Sequence, residues 1–201
     1  QPLDTVDAIG WLGGDIAGKQ VLCLAAGGGR QSAIYAATGA QVTVVDISPA
    51  MLELDREVAA ERGLDIRVVE TSMDDLAMFP NEAFDIVIHP VSTCYLPSIT
   101  KVFSEVARVT QPQGLYISQH KQPTSLQTDM TRSANGYELI EPYYRTGPLP
   151  AVNGTRLRED GTMEFLHRWE DIIGGICRSG FVIEDLVEPF HADPKAPRSS
   201  F

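Results

Sequence analysis

Three consecutive glycines and one aspartate have the types and spacing of a ligand site. Gly27, Gly28 and Gly29 follow an apolar run, and Asp46 ends the next one, 17 residues after Gly29. Glycines let the backbone approach a ligand, and a helix start supplies free N–H groups. A carboxylate at the end of the second strand can accept both ribose hydroxyls. Together they predict a site for a nucleoside-containing cofactor; the alternatives are a tight strand-to-helix turn and a helix cap.

Three other side chains could move a proton. His89 and Tyr95 follow the fourth apolar run, and His120 follows the fifth. Imidazole titrates near neutral pH and suits general-base chemistry. The alternatives are a wall of the cofactor pocket for His89, packing for Tyr95 and a hydrogen-bonded residue for His120. His167 precedes a late helix, where a polar contact with the helix start explains it better. His120, His89 and Tyr95 are therefore the catalytic candidates, and the sequence does not choose among them.

A metal site is not predicted. The acidic pairs at residues 74–75 and 159–160 are more typical of solvated turns, and the chain has no C-x-x-C pair. The three scattered cysteines are Cys23, Cys94 and Cys177. We expect each to be a buried, reduced thiol, which favours a cytoplasmic protein.

Charge and hydropathy exclude some partners. The chain has 16 Lys+Arg against 27 Asp+Glu, a net charge of −11, which argues against a general nucleic-acid partner. No apolar run reaches the roughly 18 residues of a membrane span. The first residues do not resemble a signal peptide. Arg30 and Arg145 could pair with a ligand carboxylate, and Arg30 is the better candidate because it lies in the glycine loop.

Five apolar runs alternate with helical patterns. The runs, at residues 21–25, 42–46, 66–69, 84–88 and 115–118, predict strands, and the first two are expected to be buried. Helices are expected over residues 30–38 and 49–62, the second capped by Ser48 and with Met51, Leu54 and Val58 on its apolar face. Two more are centred on residues 99–106 and 169–176. This alternation predicts an α/β fold with a doubly wound, mostly parallel, Rossmann-like sheet.

The alternation breaks after the fifth strand. Residues 119–163 are too long for a simple connection, so we expect an insertion, a hairpin or lid with a strand-like run at 137–144, over the carboxyl ends of the strands. Residues 181–183 predict a sixth strand. At 201 residues the chain fits one domain, residues 1–201, with a cofactor half at 20–120 and a lid at 120–165.

Four segments in this order resemble class I S-adenosylmethionine-dependent methyltransferases. They are VLCLAAGGG (residues 21–29), VVDISPAML (44–52), FDIVIH (84–89) and VARVTQPQG (106–114). The resemblance covers residues 20–120. It is greatest to the small-molecule branch that includes ubiquinone and menaquinone C-methyltransferases, whose late helix and G-F strand also resemble residues 164–181.

The resemblance implies roles for individual residues. Gly27 and Gly29 match the glycines that let the backbone pass the methionine part of the cofactor. Asp46 matches the acid that holds the ribose hydroxyls, and Ile47 the residue on the adenine face. The family has glycine at the position of Ala25, and this departure bears on affinity more than on cofactor identity.

Further positions follow from the same resemblance. Ser72 and Met73 match the adenine edge after the third strand, and His89 lies where the fourth strand meets the methionine ammonium group. The family usually has Asp at the position of Ser72, a role that residues 74–75 could take. It often has an acid at the position of Cys23. The predicted cofactor-binding set is Gly27, Gly28, Gly29, Arg30, Asp46, Ile47, Ser72, Met73 and His89.

The expected function is transfer of a methyl group from S-adenosylmethionine to a small-molecule acceptor, with S-adenosylhomocysteine as product. One alternative is a non-catalytic protein of the same fold that binds the cofactor. The other is a nicotinamide-dependent oxidoreductase, disfavoured because Ser32 replaces the third glycine of G-x-G-x-x-G. The sequence does not identify the acceptor or the oligomeric state.

Overall fold

A parallel sheet of five strands forms the centre of the molecule. The computed structural model describes residues 3–7, 9–129, 131, 133–152, 158 and 160–188. The strands are β1 (Gln20–Leu24), β2 (Gln41–Asp46), β3 (Ile66–Glu70), β4 (Phe84–His89) and β5 (Thr110–Ser118). Their order is β3-β2-β1-β4-β5, and every pair is parallel. The predicted fold class is confirmed.

Four of the helices in the described part of the chain lie where the periodicity places them, and a short one at Pro123–Gln127 was not predicted. The helices are α1 (Gln31–Ala37), α2 (Pro49–Arg62), α3 (Thr100–Val109), α4 (Pro123–Gln127) and α5 (Trp169–Arg178), with 3₁₀ turns at Leu3–Thr5 and Thr93–Tyr95. Helix α2 shows the expected start and stop signals. The Ser48 hydroxyl accepts the Met51 N–H, and Gly63 ends the helix in the left-handed conformation with φ +64°.

Both faces of the sheet are covered. On β1, Val21 and Cys23 face the core shared with α1 and α2. Leu22 and Leu24 face the core shared with α3. These four residues are fully buried. Burial on both faces explains why β1 is continuously apolar and does not alternate.

The strand order reverses between β1 and β4. Strand β1 pairs with β2 on one side and with β4 on the other. The connections that leave β1 and β4 therefore diverge, and they open a crevice at the carboxyl edge. The glycine loop after β1 and His89 at the end of β4 both lie at this switch point.

The segment after β5 is less regular than expected. It contains α4, but residues 137–144 form no strand; Leu139 makes only an isolated antiparallel bridge with Thr128. The Leu149 N–H donates to Glu164 O at 2.7 Å, and the Phe165 N–H donates to Cys94 O at 2.7 Å. The last contact ties the end of the segment to the loop after β4.

Three local predictions are wrong. Residues 181–183 are not a strand: Phe181 packs its ring on Tyr116, with centroids 5.2 Å apart, and residues 181–188 join no sheet. Strand β5 begins five residues earlier than expected, directly after α3, and a register shift opposite β4 accommodates Gln113 at φ +64°. Cys177 is exposed, whereas Cys23 and Cys94 are buried.

The buried face of α2 also differs from the prediction. Its buried residues are Leu52, Asp55 and Ala59. Met51 and Leu54 are 41% and 39% exposed. The face formed by Met51, Leu54 and Val58 packs on the glycine loop and not in the hydrophobic core. In the described part of the chain, no helix is both long and apolar enough to cross a bilayer.

Candidate functional site

The glycine loop between β1 and α1 is packed too closely to carry side chains. A Cβ on Gly27 would lie 2.8 Å from Met51 Cβ and 3.0 Å from Asp46 Oδ2. Gly29 has φ +71°, and a Cβ there would lie 2.8 Å from Leu54 O. Ala25 adopts φ +48°, a conformation that costs a non-glycine residue about 1–2 kcal/mol. The loop is therefore held in one shape by α2.

Asp46 joins this loop to the start of α2. Its Oδ2 accepts the Gly27 N–H at 2.9 Å, and its Oδ1 accepts the Ser48 N–H at 2.9 Å. The side chain is half-buried at the end of β2. The cap that the sequence offered as an alternative is thus present. A carboxylate has about four acceptor positions, so each oxygen can accept a further hydrogen bond.

Asp55 is a second carboxylate under the loop, and the sequence analysis did not single it out. It is fully buried and accepts the Gly28 N–H at 2.8 Å and the Ser32 hydroxyl. Its signal in the sequence is an acid between Leu52 and Ala59, on the same helical face as these buried residues. Asp55 anchors the glycine loop to α2 from below.

Replacing Asp55 tests this anchor. We expect Asp55→Ala to lower the free energy of unfolding by about 2–3 kcal/mol, because it removes the acceptor of the buried Ser32 hydroxyl and of the part-buried Gly28 N–H. Asp55→Asn should lose less, since its amide oxygen can still accept one of them. Urea denaturation measures both, and Glu57→Ala on the exposed side of α2 is the matched control. A loss for Asp55→Ala equal to that control would show that the contacts do not support the loop.

The predicted adenine positions lie beyond β2 and β3. Ile47 is 68% exposed, and Ser72 is half-buried in a turn closed by the Asp75 N–H and Ser72 O at 2.9 Å. The Ser72 hydroxyl donates to Asp74. Met73 is only 9% exposed and packs in the core. Ile47 and Ser72 therefore present side chains near the crevice, whereas Met73 does not.

The two arginines predicted to contact a ligand carboxylate, Arg30 and Arg145, lie in different segments. Arg30 is exposed at the N-cap position, one residue before α1. Arg145 lies in the segment after β5, where it pairs with Glu141 and donates to Pro148 O. The structure does not bring the two arginines together, and Arg145 is already held by protein acceptors.

His89 is a core residue at the end of β4. It is 1% exposed, with Nδ1 2.8 Å from the Tyr116 hydroxyl and Nε2 2.8 Å from Ser92 Oγ. Burial, with a smaller contribution from His120, lowers the pKa of His89 to about 3. The Ser92 hydroxyl donates to Pro90 O, so it accepts from Nε2, and Tyr116 donates to Nδ1. His89 is thus a neutral ring with both nitrogens bonded.

His120 follows β5 and is also bonded at both nitrogens. Its Nδ1 lies 3.1 Å from Thr93 Oγ1, and its Nε2 lies 2.9 Å from Ser118 Oγ. Burial lowers the pKa of His120 to about 4, and His167 adds to the effect. The third candidate, Tyr95, is half-buried against the cluster around Cys94.

A cavity lies beside these residues, between α3, α5 and the segment after β5. Its volume is about 380 Å³. It is lined by Pro97, Ser98, Ile99, Thr100, Tyr144, Arg145, Thr146, Gly147, Phe165, Leu166, His167, Arg168 and Asp171. Its volume is at the lower end of the range for small-molecule sites, about 300–1,000 Å³. Within the described ranges, no cluster of three or more His, Cys, Asp or Glu side chains could hold a metal ion; Glu159, of the second acidic pair, lies outside them.

The known proteins that this chain resembles are methyltransferases by description. Residues 22–118 match the family described as "Methyltransferase domain". The chain is 37% identical over 177 residues to the "Uncharacterized methyltransferase YbaJ" of Bacillus subtilis, covering 86% of this chain and 69% of that protein. It is 32% identical over 105 residues to a "Ubiquinone biosynthesis O-methyltransferase" of Xanthomonas oryzae pv. oryzae, covering 52% of this chain and 44% of that protein.

A solved structure shares the fold over most of the chain. An S-adenosylmethionine dependent methyltransferase from Mesorhizobium loti superposes with a TM-score of 0.70 at 21% identity, covering 90% of this chain and 84% of that one. The relatives and the family match agree with the parallel sheet and with the loop at its switch point. The chain therefore belongs to the methyltransferase family, and its fold is that of the class I S-adenosylmethionine-dependent methyltransferases.

Proposed function

We propose that S-adenosylmethionine binds across the carboxyl ends of β1, β2 and β4 and that its methyl group goes to a small-molecule acceptor. The observation that carries this proposal is the approach of the glycine loop to Asp46. The loop backbone lies where a Cβ on Gly27 would touch the Asp46 carboxylate. Asp46 can accept ribose hydroxyls without losing its bonds to Gly27 and Ser48.

The exposure of the residues around Asp46 supports an assignment of the adenine and methionine parts of the cofactor. Ile47 offers an exposed apolar side chain for one adenine face, and Ser72 offers a hydroxyl near the adenine edge. Met73 contributes through its backbone, because its side chain is packed in the core. We assign His89 to the wall of the methionine end, since its ring is buried and neutral. Gly28, Gly29 and Arg30 complete the loop side.

The chemistry divides between cofactor and protein. The cofactor, when bound, supplies an activated methyl group on a sulfonium. The chain supplies position and exclusion of water, which is where most of the rate enhancement for such a displacement arises. The described part of residues 119–163 would contribute to this cover, because Phe165, which follows it, donates its N–H to Cys94 O in the loop after β4.

A small-molecule acceptor is supported by charge and by space. The net charge of −11 disfavours a polyanionic partner, and the cavity of about 380 Å³ suits a small ligand. The chain spans less than half of the Xanthomonas relative. The name of that protein therefore suggests which acceptors to test first, and it does not identify the acceptor of this chain. We propose the small-molecule branch on these grounds.

Replacing Asp46 tests the cofactor site. We expect Asp46→Ala to weaken binding of S-adenosylmethionine and S-adenosylhomocysteine about 10- to 150-fold, because charge-assisted hydrogen bonds to the ribose contribute about 1.5–3 kcal/mol. Isothermal titration calorimetry measures the dissociation constants. Asp65→Ala, which removes the same charge from an exposed position, should leave them unchanged. Equal affinities in the wild type and Asp46→Ala would remove Asp46 from the site, and binding of NADH would favour the oxidoreductase alternative.

A further inference from the structure

The three histidines that the structure describes differ in one respect that bears on proton transfer. His89 and His120 each have both ring nitrogens bonded to protein groups. His167 uses one nitrogen only: Nε2 lies 3.1 Å from Thr93 O and 2.9 Å from Leu96 O. Carbonyl oxygens can only accept, so Nε2 carries the proton and Nδ1 carries the lone pair.

His167 lines the cavity, and because Nε2 is bonded to protein, Nδ1 is the ring nitrogen left for a ligand there. His167 is 7% exposed and is part of the cavity wall. The two carbonyls come from the loop after β4, so they fix both the tautomer and the orientation of the ring. Burial lowers the pKa of His167, and the two carbonyl bonds and Asp171 oppose the shift. The ring is therefore neutral near pH 7 and can accept a hydrogen bond.

The other walls indicate what kind of molecule would donate that bond. Ile99 and Leu166 are buried apolar residues, and Tyr144 is held under the Arg168 guanidinium at 5.0 Å from its ring centroid. The two arginines of the wall are already paired, Arg145 with Glu141 and Arg168 with Asp171 and Glu170. A neutral ligand with an apolar or aromatic body fits these walls better than an anion does.

Thr93 connects this cavity with the carboxyl edge of the sheet. Its carbonyl oxygen accepts from His167, and its hydroxyl is bonded to His120, which in turn contacts Ser118 at the end of β5. His167 lies close enough to His120 to lower the pKa of His120. Hydrogen bonds thus link the cavity wall, through Thr93 and His120, to the edge at which the cofactor is expected.

We propose that this cavity holds the methyl acceptor, a neutral molecule with an aromatic or apolar body and an O–H or N–H nucleophile, and that His167 Nδ1 accepts the proton of that nucleophile. The inference rests on the proposed function. In the transfer, the acceptor heteroatom forms a bond to the methyl carbon, and the carbon–sulfur bond breaks with its electron pair left on sulfur. The proton of the heteroatom goes to Nδ1, so the products are the methylated acceptor, S-adenosylhomocysteine and a protonated His167.

Phenol and anisole are a matched pair of probes, because they share a ring and differ in the proton that Nδ1 would accept. We expect millimolar phenol to shift the His167 Nδ1 resonance in a ¹⁵N-detected histidine NMR spectrum of the full chain, and anisole to leave it unchanged. The His89 nitrogens, both bonded to protein, should not move with either probe. An unmoved Nδ1 resonance with phenol, or equal shifts with both probes, would overturn the proposal.

A variant that fills the cavity tests whether phenol binds there. Binding of S-adenosylhomocysteine distinguishes failure of the acceptor site from failure of the proposed function. Ser98→Phe replaces an exposed residue of the wall and should weaken phenol binding at least tenfold. Its affinity for S-adenosylhomocysteine should stay within twofold of the wild type. Absence of S-adenosylhomocysteine binding to the wild type would refute the proposed function. Normal binding of S-adenosylhomocysteine together with undiminished phenol binding to Ser98→Phe would refute the acceptor site alone.

Discussion

Gly29→Ala is expected to destabilise the protein by about 2–4 kcal/mol, the sum of a left-handed backbone penalty and the cost of overpacking. Gly29 has φ +71°, and the added methyl would lie 2.8 Å from Leu54 O and 2.9 Å from Val58 Cγ2. The first atom belongs to the backbone of α2 and cannot rotate away. The loop must therefore move from the helix, and Gly27 and Asp46 would separate with it.

Gly63→Ala is the matched control for this substitution. Gly63 has φ +64°, close to that of Gly29, but a Cβ there meets nothing within 4 Å. Its expected cost is the backbone penalty alone, about 1–2 kcal/mol. Urea denaturation gives both values, and calorimetry gives the affinity for S-adenosylhomocysteine, which only Gly29→Ala should reduce. Equal destabilisation by the two variants would show that the loop can move off α2 at no cost.

The second large effect is a loss of stability in mild acid. Between pH 7 and pH 5 the free energy of unfolding should fall by about 3–4 kcal/mol, because two buried histidines stay neutral in the folded protein. Burial lowers the pKa of His89 to about 3 and that of His120 to about 4, from 6.5. Below pH 6.5 the unfolded chain binds protons that the folded protein does not bind, so acid favours unfolding. His167, whose pKa is also lowered, adds to the loss.

The slope of stability against pH distinguishes this cause from acid titration of carboxylates. Each histidine contributes up to about 1.4 kcal/mol per pH unit. His120→Asn should reduce the slope between pH 6.5 and pH 5 by about that amount, whatever its effect on stability at pH 7. The lowered pKa values of Glu105 and Asp171 affect stability mainly below pH 5. A flat profile from pH 7 to pH 5 would contradict the burial of neutral histidines.

Sequence periodicity predicted the parts of the fold that depend on neighbouring residues. The strands β1 to β4 appear within about one residue of their predicted bounds because each contains a short run rich in apolar residues, and β1, β2 and β4 bury most of theirs. Helix α2 begins and ends as predicted because its capping groups, the Ser48 hydroxyl and Gly63, act within one turn. The glycine loop is predictable for the same reason, because the positive φ angles of Gly28 and Gly29 require glycine at those positions. These features, with the four motifs, were enough for the fold class and the family.

The buried face of α2 and the conformation of residues 181–183 depended on tertiary contacts between segments distant in the chain. The spacing of Met51, Leu54 and Val58 is helical, but only the folded chain shows that their face packs on the glycine loop and that Asp55 is buried instead. Residues 181–183 have the composition of a strand, yet a strand requires a partner, and Phe181 packs on Tyr116 without one.

The catalytic candidates show the same division. Sequence position ranked His120 and His89 above His167, because both follow strands at the carboxyl edge. A histidine can accept a proton only through a nitrogen with a free lone pair, and each ring has at least one partner that is distant in the chain. Thr93 O and Leu96 O bind the Nε2 proton of His167 across more than 70 residues. The sequence determined which cofactor chemistry the edge of the sheet can support, and the tertiary structure decided which side chains are left to act on the acceptor.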